Sequence, residues 1–392
     1  MPQRIAVIGA GVLGLAVAQS LSRRGAQVTV FDKSLPGSGT SQISYAWVNA
    51  NGKEPGHYHE LNAQAINEHK RWQASHRAWP RWLLETGSLE WAADESSLRQ
   101  LAQRAAKLAT LDYPVEKRSR AALLDALPGL RLDPRIKHAW FFPSECLLYP
   151  SLFIASLLAD LRASGGQLVC NNEVTTLTES GRDVHLTLAS GDEWRGDQLV
   201  LATGRWAPEL IGQCGLELAM TDANRADPVA CSFLAQTQPL PIPLNCNLIT
   251  PELNVRPDGG GRLMLQALDL DQHADPSRPA SPDGLTGREM LRRLRRLFNN
   301  AEGARIERIE TGQRSRPADG LPALGYISES ARVYLMVSHS GMTLAPLLGR
   351  LVAEEMLSGT PSPMLSGFAP HRLLRPLSEV AKTVPAYLPA AQ

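Results

Sequence analysis

The feature that most constrains this chain is Gly9-Ala-Gly-Val-Leu-Gly14, a G-x-G-x-x-G run between an apolar strand and an apolar helix. Arg4 to Ile8 reads as a short buried strand. The helix runs to Arg24, with Gly25 placed to end it, and a second strand, Gln27 to Phe31, stops at Asp32. In that setting the glycines provide a tight turn, close approach of backbone to a pyrophosphate, and close helix–strand packing. The helix start at Ala10, Val12 and Leu13 offers free N–H groups and a positive dipole end to the phosphates. Asp32, about 20 residues on, can accept hydrogen bonds from an adenosine ribose. This stretch predicts a dinucleotide site and leaves NAD and FAD level. Arg4 and the apolar run after it also resemble a signal peptide, but three glycines at motif spacing and an acid-terminated second strand argue against one.

A chain of 392 residues is long enough for two domains. Its 40 Lys and Arg nearly cancel its 39 Asp and Glu, so no global field draws it to nucleic acid or an anionic membrane. No later apolar run approaches the length of a membrane span, and none is expected. The 5 cysteines are scattered, odd in number and without a C-x-x-C pair, which favours a reducing compartment over a zinc site; the cytoplasm is the expected location. His57-Tyr-His59 has no further ligands at metal spacing, so no metal is expected.

After Asp32-Lys33 the loop-like Pro36-Gly-Ser-Gly39 leads to Thr40-Ser41, whose hydroxyls suit a pyrophosphate or ribityl chain. Helices are predicted over His59–Trp79, from Ser96 or Ser97 with Leu98, Leu101, Ala105 and Leu108 inward, over Ser119–Leu127, and from Ser151 to Gly165. Strands at Gln167–Cys170, Glu173–Thr178 and around Val184–Leu188 precede Gln198–Ala202 and Thr203-Gly204, so a three-stranded antiparallel excursion interrupts the sheet and returns to it. A proline-rich stretch to Asp269 includes a strand over Arg262–Leu268. The helix Thr286–Phe298 carries Arg288, Arg292, Arg293, Arg295 and Arg296 mostly on its polar face. A solvated face is the commoner meaning of such a pattern, so no nucleic acid is expected, with RNA contact as the alternative.

Near the C-terminus, a strand over Val333–Val337 feeds Ser338-His-Ser-Gly-Met-Thr-Leu-Ala-Pro346 into a helix, with Pro346 in its first turn and Gly359 at its end. A second helix start aimed at an anion suits a flavin, whose reduced form gathers negative charge around N1 and the C2 carbonyl. That moves the reading from NAD towards FAD.

Further motifs sit between these two ends: Thr40-Ser41; Tyr149-Pro150 before a helix; Glu173-Val174; Leu201-Ala-Thr-Gly-Arg-Trp-Ala-Pro208; and Gly312-Gln-Arg through Asp319-Gly-Leu-Pro322. With Gly9–Gly14, Asp32-Lys33 and Ser338-His-Ser-Gly341, they make the chain resemble the FAD-dependent D-amino-acid oxidase and glycine oxidase family, related to the sarcosine oxidases, from end to end. The resemblance implies an α/β fold, with a Rossmann-type FAD-binding domain assembled from discontinuous segments (1–80, 141–220 and 321–392). An α+β substrate domain with an antiparallel sheet (81–140 and 221–320) would cover the flavin. Val174 would touch the adenine side through its backbone. Thr40, Ser41, Tyr45, Ala46 and Trp47 would line the cofactor's middle and flavin end, and Thr203, Gly204 and Trp206 are counted with them. His339, Ser340, Gly341, Met342 and Thr343 would sit at the pyrimidine side.

Arg314 stands where the family's carboxylate-binding arginine stands, beside the cofactor, and a planar guanidinium suits that role. Arg316, two residues along, shares its face. With Trp47 and Asn254 these are the expected substrate contacts. Two departures shift the pocket: Leu253-Asn-Val-Arg-Pro257 replaces a tyrosine-bearing stretch, and Gln266-Ala267 replaces a glycine pair. No cysteine follows Cys246, so non-covalent FAD is expected rather than a link through a thiol, or through His57 or His59. The implied reaction is hydride transfer from the C–N unit of a small amine or amino acid to flavin N5, the imine hydrolysing after release, with oxygen or a quinone as electron acceptor. No catalytic acid or base is assigned, because the flavin carries the chemistry. The alternatives are a dehydrogenase feeding a quinone or protein acceptor, an RNA-base-modifying flavoenzyme, and a non-catalytic flavin carrier or sensor.

Overall fold

The computed structural model describes residues 2–77 and 79–379; the end of the expected C-terminal segment, 380–392, lies outside the described residues. Its first layer is a six-stranded sheet in the order Ala323–Tyr326, Val333–Val337, Gln198–Leu201, Arg4–Ile8, Gln27–Phe31, Gln167–Val169. All neighbours are parallel except the Ala323–Tyr326 edge. Both faces are covered, which explains why these strands read as unbroken apolar runs. Ile5, Val7, Val28, Val30, Val200, Tyr334 and Met336 pack into one core with the helices Val12–Arg23, Gly56–Ser75, Pro150–Ala163 and Gly341–Ser358. Their alternates, among them Ala6, Ile8, Leu199, Leu201, Val333 and Leu335, pack under the antiparallel excursion Val174–Gly196 and the helix Ala207–Gln213.

The second layer is an eight-stranded sheet: Ile306–Gln313, Cys231–Thr237, Leu263–Gln266, Asn254–Pro257, Asn247–Ile249, Ser88–Glu90, His138–Phe142, Glu116–Ser119. Period-two alternation gives it two unlike faces. Leu89, Phe233, Ala235, Leu248, Val255, Leu263 and Leu265 meet Met290, Leu291 and Leu294 of the helix Leu285–Leu297. The opposite face buries polar groups instead, including Ser88, Ser232, Asn247, Asn254, Arg256 and Gln266, and looks towards Tyr45. Among the described residues no helix is long and apolar enough to cross a membrane.

Several expected boundaries move for identifiable reasons. Asp94, not Ser96 or Ser97, caps the helix Glu95–Ala109, its carboxylate accepting the Ser97 N–H at 2.9 Å. Residues Glu116–Ser119 pair with His138–Phe142 as a strand, leaving Ser119 to cap the short helix Arg120–Ala126. The strand expected over Arg262–Leu268 spans Leu263–Gln266 and passes into a 3-10 turn at Leu268–His273. Pro346 is not in a first turn: the helix begins at Gly341, so Pro346 lies inside it. A proline there removes the N–H that would serve the Met342 carbonyl. The Nε2–H of His69, fully buried, donates to that carbonyl at 2.8 Å and takes its place.

Candidate cofactor cleft and substrate chamber

The cleft opens at the carboxyl ends of the parallel strands, the usual place for a ligand in such a sheet. Gly9 turns with φ +106°, and a Cβ there would stand 2.5 Å from the Ala202 carbonyl oxygen. A Cβ on Gly14 would stand 1.8 Å from the Gly9 carbonyl oxygen, so no larger residue fits at either position. The helix that follows has no side-chain cap and no acid in its first turn. One of its first N–H groups, that of Val12, donates to Ser41 Oγ at 3.0 Å. Asp32 accepts the Ala10 N–H at 2.7 Å and the Ser34 N–H at 2.8 Å, and a carboxylate so held keeps lone pairs for ribose hydroxyls.

One cavity of about 630 Å³ joins Gly9, Gly11, Val12, Leu13, Asp32 and Lys33 to Thr40 and Ser41, to Val174, Thr203, Gly204 and Trp206, and to His339, Gly341 and Met342. At one end Trp206 carries the Lys33 ammonium 4.5 Å from its ring and the Arg205 guanidinium 3.8 Å from it. At the other end the Gly341 helix also starts without a side-chain cap. Burial and the cations Lys53, Arg316 and Arg314 push the His339 imidazole down to about 3, so it is neutral. Four cleft side chains, Thr203 (Oγ1), Arg205 (Nε), Thr311 (Oγ1) and His339 (Nδ1), hold buried polar atoms with no protein partner. Two anion-seeking helix starts, a ribose-seeking acid and these orphaned polar atoms fit an elongated, phosphate-bearing cofactor such as FAD.

Not every expected residue lines that cleft. Tyr45 turns its hydroxyl away to Asn247 Oδ1 at 2.8 Å, and Thr343 reaches the Trp47 carbonyl at 3.4 Å. Trp47 donates its indole N–H to Glu145 at 2.7 Å. Glu145 is fully buried and also accepts the Tyr113 hydroxyl at 3.2 Å; burial pushes its carboxyl up to about 8. Neither His57 nor His59 lines the cleft: His59 Nδ1 bonds the Ala50 carbonyl, and His57 packs on Phe368.

Beside the cleft, the polar face of the eight-stranded sheet carries one hydrogen-bonded chain. Asn254 donates to Gln266 (3.4 Å), Gln266 to Ser232 (2.8 Å), and Ser232 to Asp271 (2.7 Å). Arg314 Nη2 closes the chain 4.0 Å from Asp271, while Nη1 donates to the Val229 carbonyl at 2.9 Å. Arg314 therefore does not pair with Asp319, which Arg372 holds at 2.7 Å, and its neighbour Arg316 donates instead to the Ala318 carbonyl. Sequence reasoning missed Asp271, Glu145 and Arg205, and also Arg256, a fully buried cation paired with Asp258 at 2.8 Å. Only Arg205, inside the Leu201–Pro208 run, carried a readable signal. On the helix Leu285–Leu297, Arg292 and Arg293 pair with Glu289, Arg293 also with Asp269, and Arg296 with Glu252, whereas Arg288 and Arg295 donate to the backbone carbonyls of Asp283 and Ala304.

The comparisons with known proteins agree with this geometry. A family model described as FAD dependent oxidoreductase matches residues 4–355. Glycine oxidase of Geobacillus kaustophilus (strain HTA426) is 26% identical over 360 residues, 89% of this chain and 92% of that protein. D-amino acid dehydrogenase 2 of Pseudomonas aeruginosa is 27% identical over 95% of this chain and 100% of its own length. The solved structure of glycine oxidase from Geobacillus kaustophilus shares the fold, with a TM-score of 0.81 at 22% identity over 94% of this chain and 99% of that one.

Proposed function

Because this chain belongs to the FAD dependent oxidoreductase family, we propose that it oxidises the C–N unit of a small amine or amino acid, the imine product being hydrolysed after release. The observation that carries the reading is where the strand Ile306–Gln313 and its continuation run. Thr311, Gln313 and Ser315 line the cofactor cleft, a Cβ on Gly312 would meet the carbonyl of Ile43, another cleft residue, at 3.2 Å, and Arg314 stands beside Asp271. A small carboxylated amine on Arg314 would thus lie between cofactor and sheet. The names of the relatives, glycine oxidase and D-amino acid dehydrogenase 2, support the same substrate class.

Bound FAD supplies the hydride acceptor. The residues of the chain position and hold charge. Gly9 to Leu13 and the helix they open would hold the pyrophosphate, Asp32 the ribose, and Ser338 to Met342 the pyrimidine end of the flavin. Arg314 would hold the substrate carboxylate through Nη2, which makes no protein hydrogen bond and stands 4.0 Å from Asp271. Trp47, fixed by Glu145, packs against Tyr45 and against Leu234 and Met264 of the polar sheet face. Fixing the substrate in this way supplies orientation, the main demand of a reaction whose redox chemistry the cofactor carries.

The test is anaerobic flavin absorbance against D-, L- and N-methyl amino acids and simple amines. Bleaching by one class assigns the substrate, and no bleaching by any overturns the reading. Reoxidation in air with peroxide release marks oxygen as acceptor. Reoxidation only by a quinone marks the dehydrogenase reading, which the D-amino acid dehydrogenase relative favours.

A further inference from the structure

We infer that Lys53 is a redox-tuning residue: its ammonium group, held one hydroxyl behind the cleft wall, stabilises the negative charge that reduction gathers at the pyrimidine end of the flavin. Ser340 sits between His339 and Gly341, both in the cleft lining, and points its hydroxyl away from the cleft into the protein. There the Lys53 Nζ donates to Ser340 Oγ at 3.3 Å, and the Tyr58 hydroxyl shares the same oxygen at 2.7 Å. Lys53 also stands 5.7 Å from the Tyr58 ring.

This arrangement is electrostatically uphill unless an anion arrives. The positive end of the Gly341 helix is a poor place for a cation. Lys53 is nonetheless packed against it, and Arg314 and Arg316 also act on the neighbouring His339. The acid that acts on Lys53 is Glu145, fully buried and itself disposed to keep its proton. Burial of the amine pushes Lys53 down to about 8, which still leaves it mostly cationic near neutral pH. Oxidised flavin is neutral in its ring system and reduced flavin is not, so the cation favours the reduced form selectively. The hydroxyl of Ser340 lies between donor and cleft and can orient its dipole with the charge.

The inference rests on the flavin orientation proposed above. Its test uses the holoenzyme under anaerobic conditions, reduced by dithionite against a reference dye, and needs no amine. A protein that oxidised no amine would still report the reduced-to-oxidised ratio. Lys53→Met is expected to lower that ratio about tenfold at a fixed dye potential, about 30 mV for a two-electron couple. Lys53→Arg keeps the charge and should stay within about twofold of the parent. Tyr58→Phe removes a hydrogen bond from the same Ser340 oxygen but no charge, and should also stay within about twofold. A ratio unchanged in Lys53→Met, or an equal fall in Tyr58→Phe, overturns the inference. Should Lys53→Met not retain FAD, Lys53→Gln is read in the same titration by the same two criteria.

Discussion

The substitution of a histidine for a missing backbone donor can be tested as a thermodynamic cycle. His69 is fully buried, and its Nε2–H serves the Met342 carbonyl that Pro346 cannot reach. His69→Ala leaves that carbonyl without its partner, at about 1–3 kcal/mol. It also empties the space beside Phe153, whose ring centroid lies 5.0 Å from the imidazole. With a cavity term of about 2 kcal/mol, the expected loss is about 3–5 kcal/mol. Pro346→Ala restores the N–H to the helix. In the parent the carbonyl is already served, so the change should be small; in His69→Ala it should recover about 1–2 kcal/mol. Urea unfolding of the four holoproteins measures the coupling. Strict additivity, within about 0.5 kcal/mol, would refute the account. A second signature is pH. Burial holds His69 down to about 4, against an ordinary value of 6.5. Its contribution is full above 6.5 and is lost as the pH falls from there through 4, by about 3 kcal/mol. His69→Ala should lack that acid-side loss.

Three further outcomes are expected. Arg314→Ala should raise KM for a carboxylated substrate about 100-fold while FAD stays bound; steady-state kinetics with a flavin count checks it, and unchanged KM removes Arg314 from the site. Gly14→Ala places a Cβ 1.8 Å from the Gly9 carbonyl oxygen and should yield protein without flavin, read directly from the absorbance of the purified sample. Glu145 keeps its proton to about 8 in the folded state but ionises at its ordinary value of 4.5 when unfolded, so its presence weakens the fold progressively as pH rises between those values. Glu145→Gln, which preserves an acceptor for Trp47, should therefore gain in Tm relative to the parent from pH 5 to pH 8; parallel pH profiles would show that burial does not hold the proton.

The parts of the cofactor site that could be read in advance are those whose constraint is local. Gly14 is forced by a backbone contact within one strand–turn–helix, and Gly9 by its turn together with Ala202 and Thr203 of the neighbouring strand end. Asp32 answers Ala10 across one βαβ unit. The apolar runs of the parallel strands and the alternation of Leu263 and Leu265 with Met264 and Gln266 carried the two sheets in the same way. What escaped depends on partners distant in the chain. Pro346 looks like a first-turn residue until His69 is seen behind the helix. Arg314 is legible as a carboxylate binder, but its neighbour Asp271, reached through Ser232, is not. The arginine-rich face of Leu285–Leu297 reads as a solvated face, and its ion pairs with Glu252 and Asp269 cannot be read from the helix alone. No periodicity encodes such pairings, because charge complementarity across folded segments leaves no repeat.

The strand order of the parallel sheet bears on how the molecule is made. Arg4–Ile8 is translated first, yet it lies at the centre, between Gln27–Phe31 and Gln198–Leu201, with Val333–Val337 beyond. The Gly9 turn thus leaves the ribosome long before Ala202, against which it packs, and longer still before Ser338 on the same cleft. Contacts of such high sequence separation form late. Until then the emerging chain carries an apolar strand with one edge open, a species prone to stick to others and a natural client for chaperones. Cofactor loading must wait for the closing strand, so flavin supply can act only on finished chains, and a truncation before Val333 should yield no yellow protein at all.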